Sequence, residues 1–173
     1  MTIQDLGSIG ELVGAIATVA TLAYLAVQIR HNTRASRISS LQATLDGGRN
    51  HTIQPLITTP GHAELFSRGL TSLDSLEPAD RVRFTWFVLE AVLQMQNVMQ
   101  QYEEAILDDS NYEAWLAYTA SILRTPGGAE VWPQVAAIVE PTIRNALQEH
   151  LASQPDQPSL IELMPVMDTT GWQ

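Results

Sequence analysis

From Leu12 to Ile29 the chain is almost continuously apolar, with Gln28 as its only strongly polar side chain, and Ile9 and Leu6 extend the run backwards. A helix rises about 1.5 Å per residue, so roughly 20 such residues match a hydrocarbon core of about 30 Å. Asp5 and Glu11 stand before or at the start of the run, and Arg30, His31, Arg34 and Arg37 follow it. A cleavable signal peptide carries its positive charge ahead of the apolar core, the reverse of this order. The pattern predicts a retained single transmembrane helix over residues 6–29. Positive flanks stay in the cytoplasm, which makes Arg30, Arg34 and Arg37 the cytoplasmic membrane flank and residues 1–5 a short tail outside. Tyr24 lies near that flank as an aromatic anchor. The competing reading is the central helix of a soluble bundle, but such helices are usually shorter and seldom end in an Arg cluster.

A second pattern is written on this helix. Gly7, Glu11, Gly14, Thr18, Thr21, Leu25 and Gln28 are spaced alternately by four and three, which places them on one face. Small residues let helix backbones approach closely, and polar groups in a membrane turn away from lipid, so the face predicts helix association or a pore lining. Alternating three-four spacing is that of a left-handed supercoil. The phase continues through Asn32, Ala35, Ser39 and Gln42 without an intervening Gly or Pro. One helix is therefore expected from about Gly7 to at least Leu45, with 30–60 as a continuation or stalk.

Composition narrows the rest. The chain has 173 residues and a net charge of −10, and all its basic residues are Arg. That length suits one anchor beside one modest domain. The acidic balance argues against a nucleic-acid partner, which requires a basic footprint. With no Cys, disulfide scaffolds, thiol catalysis and sulfur-ligated metals are excluded.

Beyond the stalk, where Gly47 and Gly48 end or weaken the helix and Asn50 to Ile57 resume it, the punctuation predicts a helical bundle over residues 61–153. Helices are expected at His62 to Leu70, at Pro78 to about Leu107, at Tyr112 to Leu123, through Trp132, and at Pro141 to Leu151. Thr71 to Leu76 reads as a loop, and Thr125, Pro126, Gly127 and Gly128 as a sharp break. On the Pro78 helix, Val88, Val92, Met95, Met99, Tyr102 and Ile106, flanked by Trp86, Leu89 and Leu93, form a core face. Glu90, Gln94, Asn97, Gln101, Glu104 and Asp108 form a solvated or inter-subunit face. Trp86, Trp115 and Trp132 read as core aromatics, with Trp172 anchoring the tail. No segment shows the two-residue alternation of a strand, so the fold class is all-α. Pro155, Pro158 and Pro165 predict an extended tail over 154–173, in which Leu160, Ile161, Leu163, Met164, Val166 and Met167 dock on the domain or on a neighbouring copy.

The opening Leu6-Gly7-Ser8-Ile9-Gly10-Glu11, then Val13-Gly14-Ala15-Ile16-Ala17, Leu25-Ala26-Val27-Gln28-Ile29-Arg30 and Asn32-Thr33, form an ordered set of short motifs. Arg68-Gly69-Leu70, Asp80-Arg81 with Arg83-Phe84, Gln101-Tyr102, Leu107-Asp108-Asp109, Trp115 and Thr125-Pro126-Gly127-Gly128 continue it. In order and spacing the chain resembles a family of uncharacterised bacterial single-pass membrane proteins, common in proteobacteria. It departs from that pattern at Gln96-Asn97, where an acidic residue usually precedes the Asn, and at Trp132, where an aromatic pair is usual. The resemblance implies architecture only: a transmembrane helix in the bacterial inner membrane and an α-helical cytoplasmic domain.

Chemistry-bearing motifs are sparse. Carboxylate-bridged metal sites in helical bundles use Glu-x-x-His pairs, which the chain lacks, and His31, His51, His62 and His150 have no ligand spacing. Gly47-Gly48 and Gly127-Gly128 lack the Lys and strand context of a phosphate loop. No catalytic, cofactor-binding or metal residue is assigned. Three readings follow: a homo-oligomeric, non-enzymatic scaffold or sensor; a cation pore with Glu11 at its mouth and Thr18 and Thr21 deeper in; or an accessory subunit of a larger membrane complex. The expected partners are membrane lipid, further copies of the chain and, in the third reading, another membrane protein.

Overall fold

A computed structural model describes residues 3–48, 54 and 58–168, with the backbone alone at residues 3–10, 12, 41, 44, 45 and 48. The expected resumption of helix at Asn50 to Ile57 and the anchor at Trp172 lie outside the described residues, apart from Gln54. Among the described residues there is no strand. The chain divides into two compact units, Met1–Ser40 and Leu41–Gln173.

Helix α1 spans Ile3–Gly48. It contains, within Val13–Ser40, a stretch long and apolar enough to cross a membrane. Every described side chain from Glu11 to Ser39 is exposed, including Ile16, Val19, Leu22 and Ile29. Side chains exposed over this whole stretch differ from those of the central helix of a soluble bundle, which are buried.

The second unit is a bundle of α2 (His62–Thr71), α3 (Pro78–Glu103), α4 (Asp109–Leu123), α5 (Pro126–Ile138) and α6 (Pro141–Ser153), closed by a short α7 (Leu160–Leu163). Helix α3 is its axis and packs on α2, α4, α5 and α6. Phe84, Val88, Val92, Met95 and Val98 line its buried face and meet Leu70, Leu116, Ile122, Val131, Val135, Ile143 and Leu147. These recur at three- and four-residue intervals, so the helical period alone collects them on one side. Starts are set by local chemistry: Pro78, Pro126 and Pro141 each occupy a first turn, where a missing N–H leaves no helical bond unmade. Asp108 Oδ1 accepts from Asn111 N at 2.9 Å and opens α4 at Asp109, three residues earlier than expected from Tyr112.

Three sequence expectations are corrected. Helix α3 ends at Glu103 rather than near Leu107, because Ala105 adopts a left-handed φ of 54°. Ile106 N donates to Gln101 O at 2.8 Å and Ala105 N to Tyr102 O at 2.9 Å, the paired bonds of a Schellman cap. That position normally holds Gly, and the alanine there hid the stop. Ala105→Gly is expected to stabilise the bundle by about 1 kcal/mol, since the left-handed conformation penalises a Cβ; an unchanged or lower unfolding midpoint in urea would contradict it.

Gly127 and Gly128 are not simple breakers. Thr125 caps α5, its Oγ1 accepting from Gly128 N at 3.1 Å while donating to Ile122 O at 2.7 Å. Both glycines lie in the first turn of α5 and are buried. A Cβ on Gly127 would stand 1.7 Å from Gly69 O, so α5 crosses α2 at a distance only two glycines allow. Phe84 covers this crossing, 2.3 Å from where a Cβ on Gly69 would be.

The tail beyond Gln154 is not extended throughout. Ser159 and Glu162 form a reciprocal capping box that starts α7, and the Ser159 hydroxyl and backbone N–H, each donating to Glu162 Oε2 at 2.7 Å, hold the pKa of that carboxyl below its ordinary value. Leu160 is buried, and Ile161 and Met167 pack on the core, whereas Leu163, Met164 and Val166 are exposed. Arg124 fastens the approach to the tail by donating to Leu151 O at 3.0 Å and Pro155 O at 3.3 Å, and Gln157 Nε2 donates to Ala117 O at 3.0 Å.

Candidate functional site

The polar stripe of α1 is the first candidate. Glu11, Gly14, Thr18, Thr21, Leu25 and Gln28 are all exposed; Gly7 lies in the same helix, where the backbone alone is described. Thr18 Oγ1 donates to Gly14 O and Thr21 Oγ1 to Ala17 O, each at 2.8 Å. Gln28 Nε2 donates to the Tyr24 hydroxyl at 2.8 Å. The two Thr donors are thus satisfied inside the helix. A Cβ placed on Gly14 meets nothing within 4 Å, so no contact among the described residues requires glycine there. Arg30, Arg34 and Arg37 are exposed beyond the stripe. At 100° per residue, the opposite side of α1 carries a shallow apolar depression lined by Ala15, Ile16, Val19, Ala20 and Ala23.

No known protein family, curated protein or solved structure matches this chain.

In the bundle the expected polar face of α3 divides. Gln94 is buried, and a Cβ on Gly47 would come within 3.3 Å of its Oε1, so the end of α1 lies against this side of α3. Asn97, Glu104 and Asp108 are exposed. The expected core aromatics also divide: Trp115 and Trp132 pack on the core, but Trp86 is 64% exposed. Val82 and Leu93 share its side of α3 and are 55% and 39% exposed. The signal that could have found this face is the seven-residue recurrence of Ala79, Trp86, Leu93 and Gln100, masked by the stronger apolar period of the core face.

A polar cleft of about 450 Å³ opens at the start of α2, lined by residues that include His62, Glu64, Arg68, Asp80 and Arg83. Its charges are already paired: Arg83 lies 2.8 Å from Asp80 and Arg68 lies 3.8 Å from Glu64, while Arg68 also donates to Ser75 O. At the far end of α3, Tyr102 stacks on Tyr112 and donates to Asp109 at 3.0 Å, and that carboxylate pushes the Tyr102 hydroxyl above its ordinary value. Among the described residues, no group of three His, Asp or Glu side chains is placed to hold a metal ion.

Proposed function

We propose that this chain is a single-pass inner-membrane protein of the bacterial type it resembles, with its N-terminus outside and its helical domain in the cytoplasm. In this reading copies associate through Gly7, Glu11, Gly14, Thr18, Thr21, Leu25 and Gln28, and the domain acts as a non-enzymatic scaffold or sensor. The observation that carries it is the pairing of an exposed apolar helix with one polar, small-residue face whose described side chains are exposed as well. Lipid supplies no hydrophobic force between helices, so close backbone approach and interhelical polar contacts must hold them together. The stripe offers both. Thr18 and Thr21 hydroxyls that already donate to their own helix favour packing over a water-lined conduit, as does the open space beside Gly14.

Mass measurement of the full chain in mild detergent tests the reading. The wild type is expected to form a closed homo-oligomer, and Gly14→Leu to weaken it at least about tenfold by holding the helices apart. A monomeric wild type, or an oligomer indifferent to Gly14→Leu, would remove this face as the interface. Recording from planar bilayers supplies the contrast: cation conductance that Glu11→Gln abolishes would favour the pore instead.

A further inference from the structure

Helix α3 presents a ridge to solvent that its own bundle leaves bare. Ala79, Val82, Arg83, Trp86, Leu93 and Asn97 along it are exposed, and Glu90 is half-buried. A tryptophan this exposed between Val82 and Leu93 is an unusual apolar surface for a helix whose opposite side builds the core. The charges beside it are complementary under one operation. If a second α3 is laid antiparallel with Trp86 over its own copy, Leu93 falls opposite the small Ala79, and Arg83 falls within one residue of Glu90, each pairing occurring twice. A two-fold interface requires this self-complementarity. Among the described residues, Glu90 makes no ion pair. Arg83 keeps Asp80 at 2.8 Å on one side, and its five-donor guanidinium has capacity for a second carboxylate.

We infer that this ridge is a contact between two copies of the chain, with α3 paired antiparallel about Trp86. The inference rests on the proposed association through α1. A ridge of about three turns falls short of the roughly 800 Å² per partner of a stable free interface. Copies tethered through α1 meet at an effective concentration on the order of mM, at which a small patch suffices. The ridge would then be where the domain registers whether its neighbour is in place, which is what a sensor or scaffold domain needs.

The chain contains no cysteine, so introduced thiols report without background. In the full chain in mild detergent, the double variant Ala79→Cys/Leu93→Cys is expected to form a disulfide-linked dimer under mild oxidation. Each single variant is expected to stay at least tenfold slower, because antiparallel pairing puts residue 79 about 21 Å from its own copy, and residue 93 likewise. The same spacing prevents a disulfide within one chain. Adding Arg83→Glu to the double-cysteine chain should slow cross-linking severalfold, and adding Glu90→Arg as well should restore it. Single variants that cross-link as fast as the double, a double that does not cross-link, or a charge reversal that Glu90→Arg fails to rescue would each overturn the contact. The double that does not cross-link would leave the ridge to a foreign partner. The mass of the wild type against Gly14→Leu, read separately, decides the α1 association, so a Gly14-dependent oligomer without cross-linking overturns the α3 contact alone.

Discussion

Gly127→Ala is expected to destabilise the bundle by about 3 kcal/mol or more, although the same change in an unobstructed helix stabilises by about 1 kcal/mol. The sign follows from geometry. The new methyl would stand 1.7 Å from Gly69 O and 2.9 Å from Gly69 C, and backbone cannot turn aside as a flexible side chain can. Relief requires α5 to move away from α2, which opens the contact beneath Phe84. Against a total stability of about 5 to 15 kcal/mol for a domain, the loss is large. Urea unfolding followed by tryptophan fluorescence measures it, and a neutral or raised midpoint for Gly127→Ala would refute the close crossing. Gly128→Ala should behave similarly, since its Cβ would lie 2.1 Å from Ile122 O.

Phe84→Ala is expected to cost about 3 to 5 kcal/mol, the range for emptying a fully buried aromatic site. Phe84 is wholly buried and lies 6.2 Å, ring centre to ring centre, from Phe66. Its more specific signature is coupling to Gly69. In the wild type Gly69→Ala drives a methyl to 2.3 Å from Phe84 Cδ2 and should destabilise. In a Phe84→Ala background that obstacle is gone, and the same substitution should become neutral or favourable through helix propensity. The double-mutant cycle is expected to show at least about 1 kcal/mol of coupling, the size found for residues in direct contact. Additive effects would mean that the ring does not fill the space above Gly69.

Much of the architecture was legible before any coordinates. Pro78 and Pro141 announced two helix starts because proline favours the one helical position where its missing donor is harmless; Pro126, which read as part of a break, starts a third. Val88, Val92, Met95 and Met99 announced the core face because helical period alone puts them together. The stop at Ala105 was not legible: its left-handed turn is held by the bonds to Gln101 and Tyr102, and alanine carries no local sign of it. The exposure of Trp86 was masked rather than absent from the pattern, since Trp86, Val88 and Leu89 are all apolar and the neighbours of α3 decide which of them is covered. The α1 stripe was legible in full as a spacing; the structure added the hydrogen bonds of Thr18 and Thr21 and the open space beside Gly14.

The sequence by itself determined that this chain is all-α, with a long N-terminal helix fit by length and composition to cross a membrane. Composition, period and punctuation act along the chain and need no partner to be read. Only the tertiary structure decided that Gly69 and Gly127 are paired to let two helices touch, and that Trp86 is left outside. Both depend on which surfaces meet across long stretches of chain, and steric exclusion between distant segments leaves no mark on the local pattern of either one.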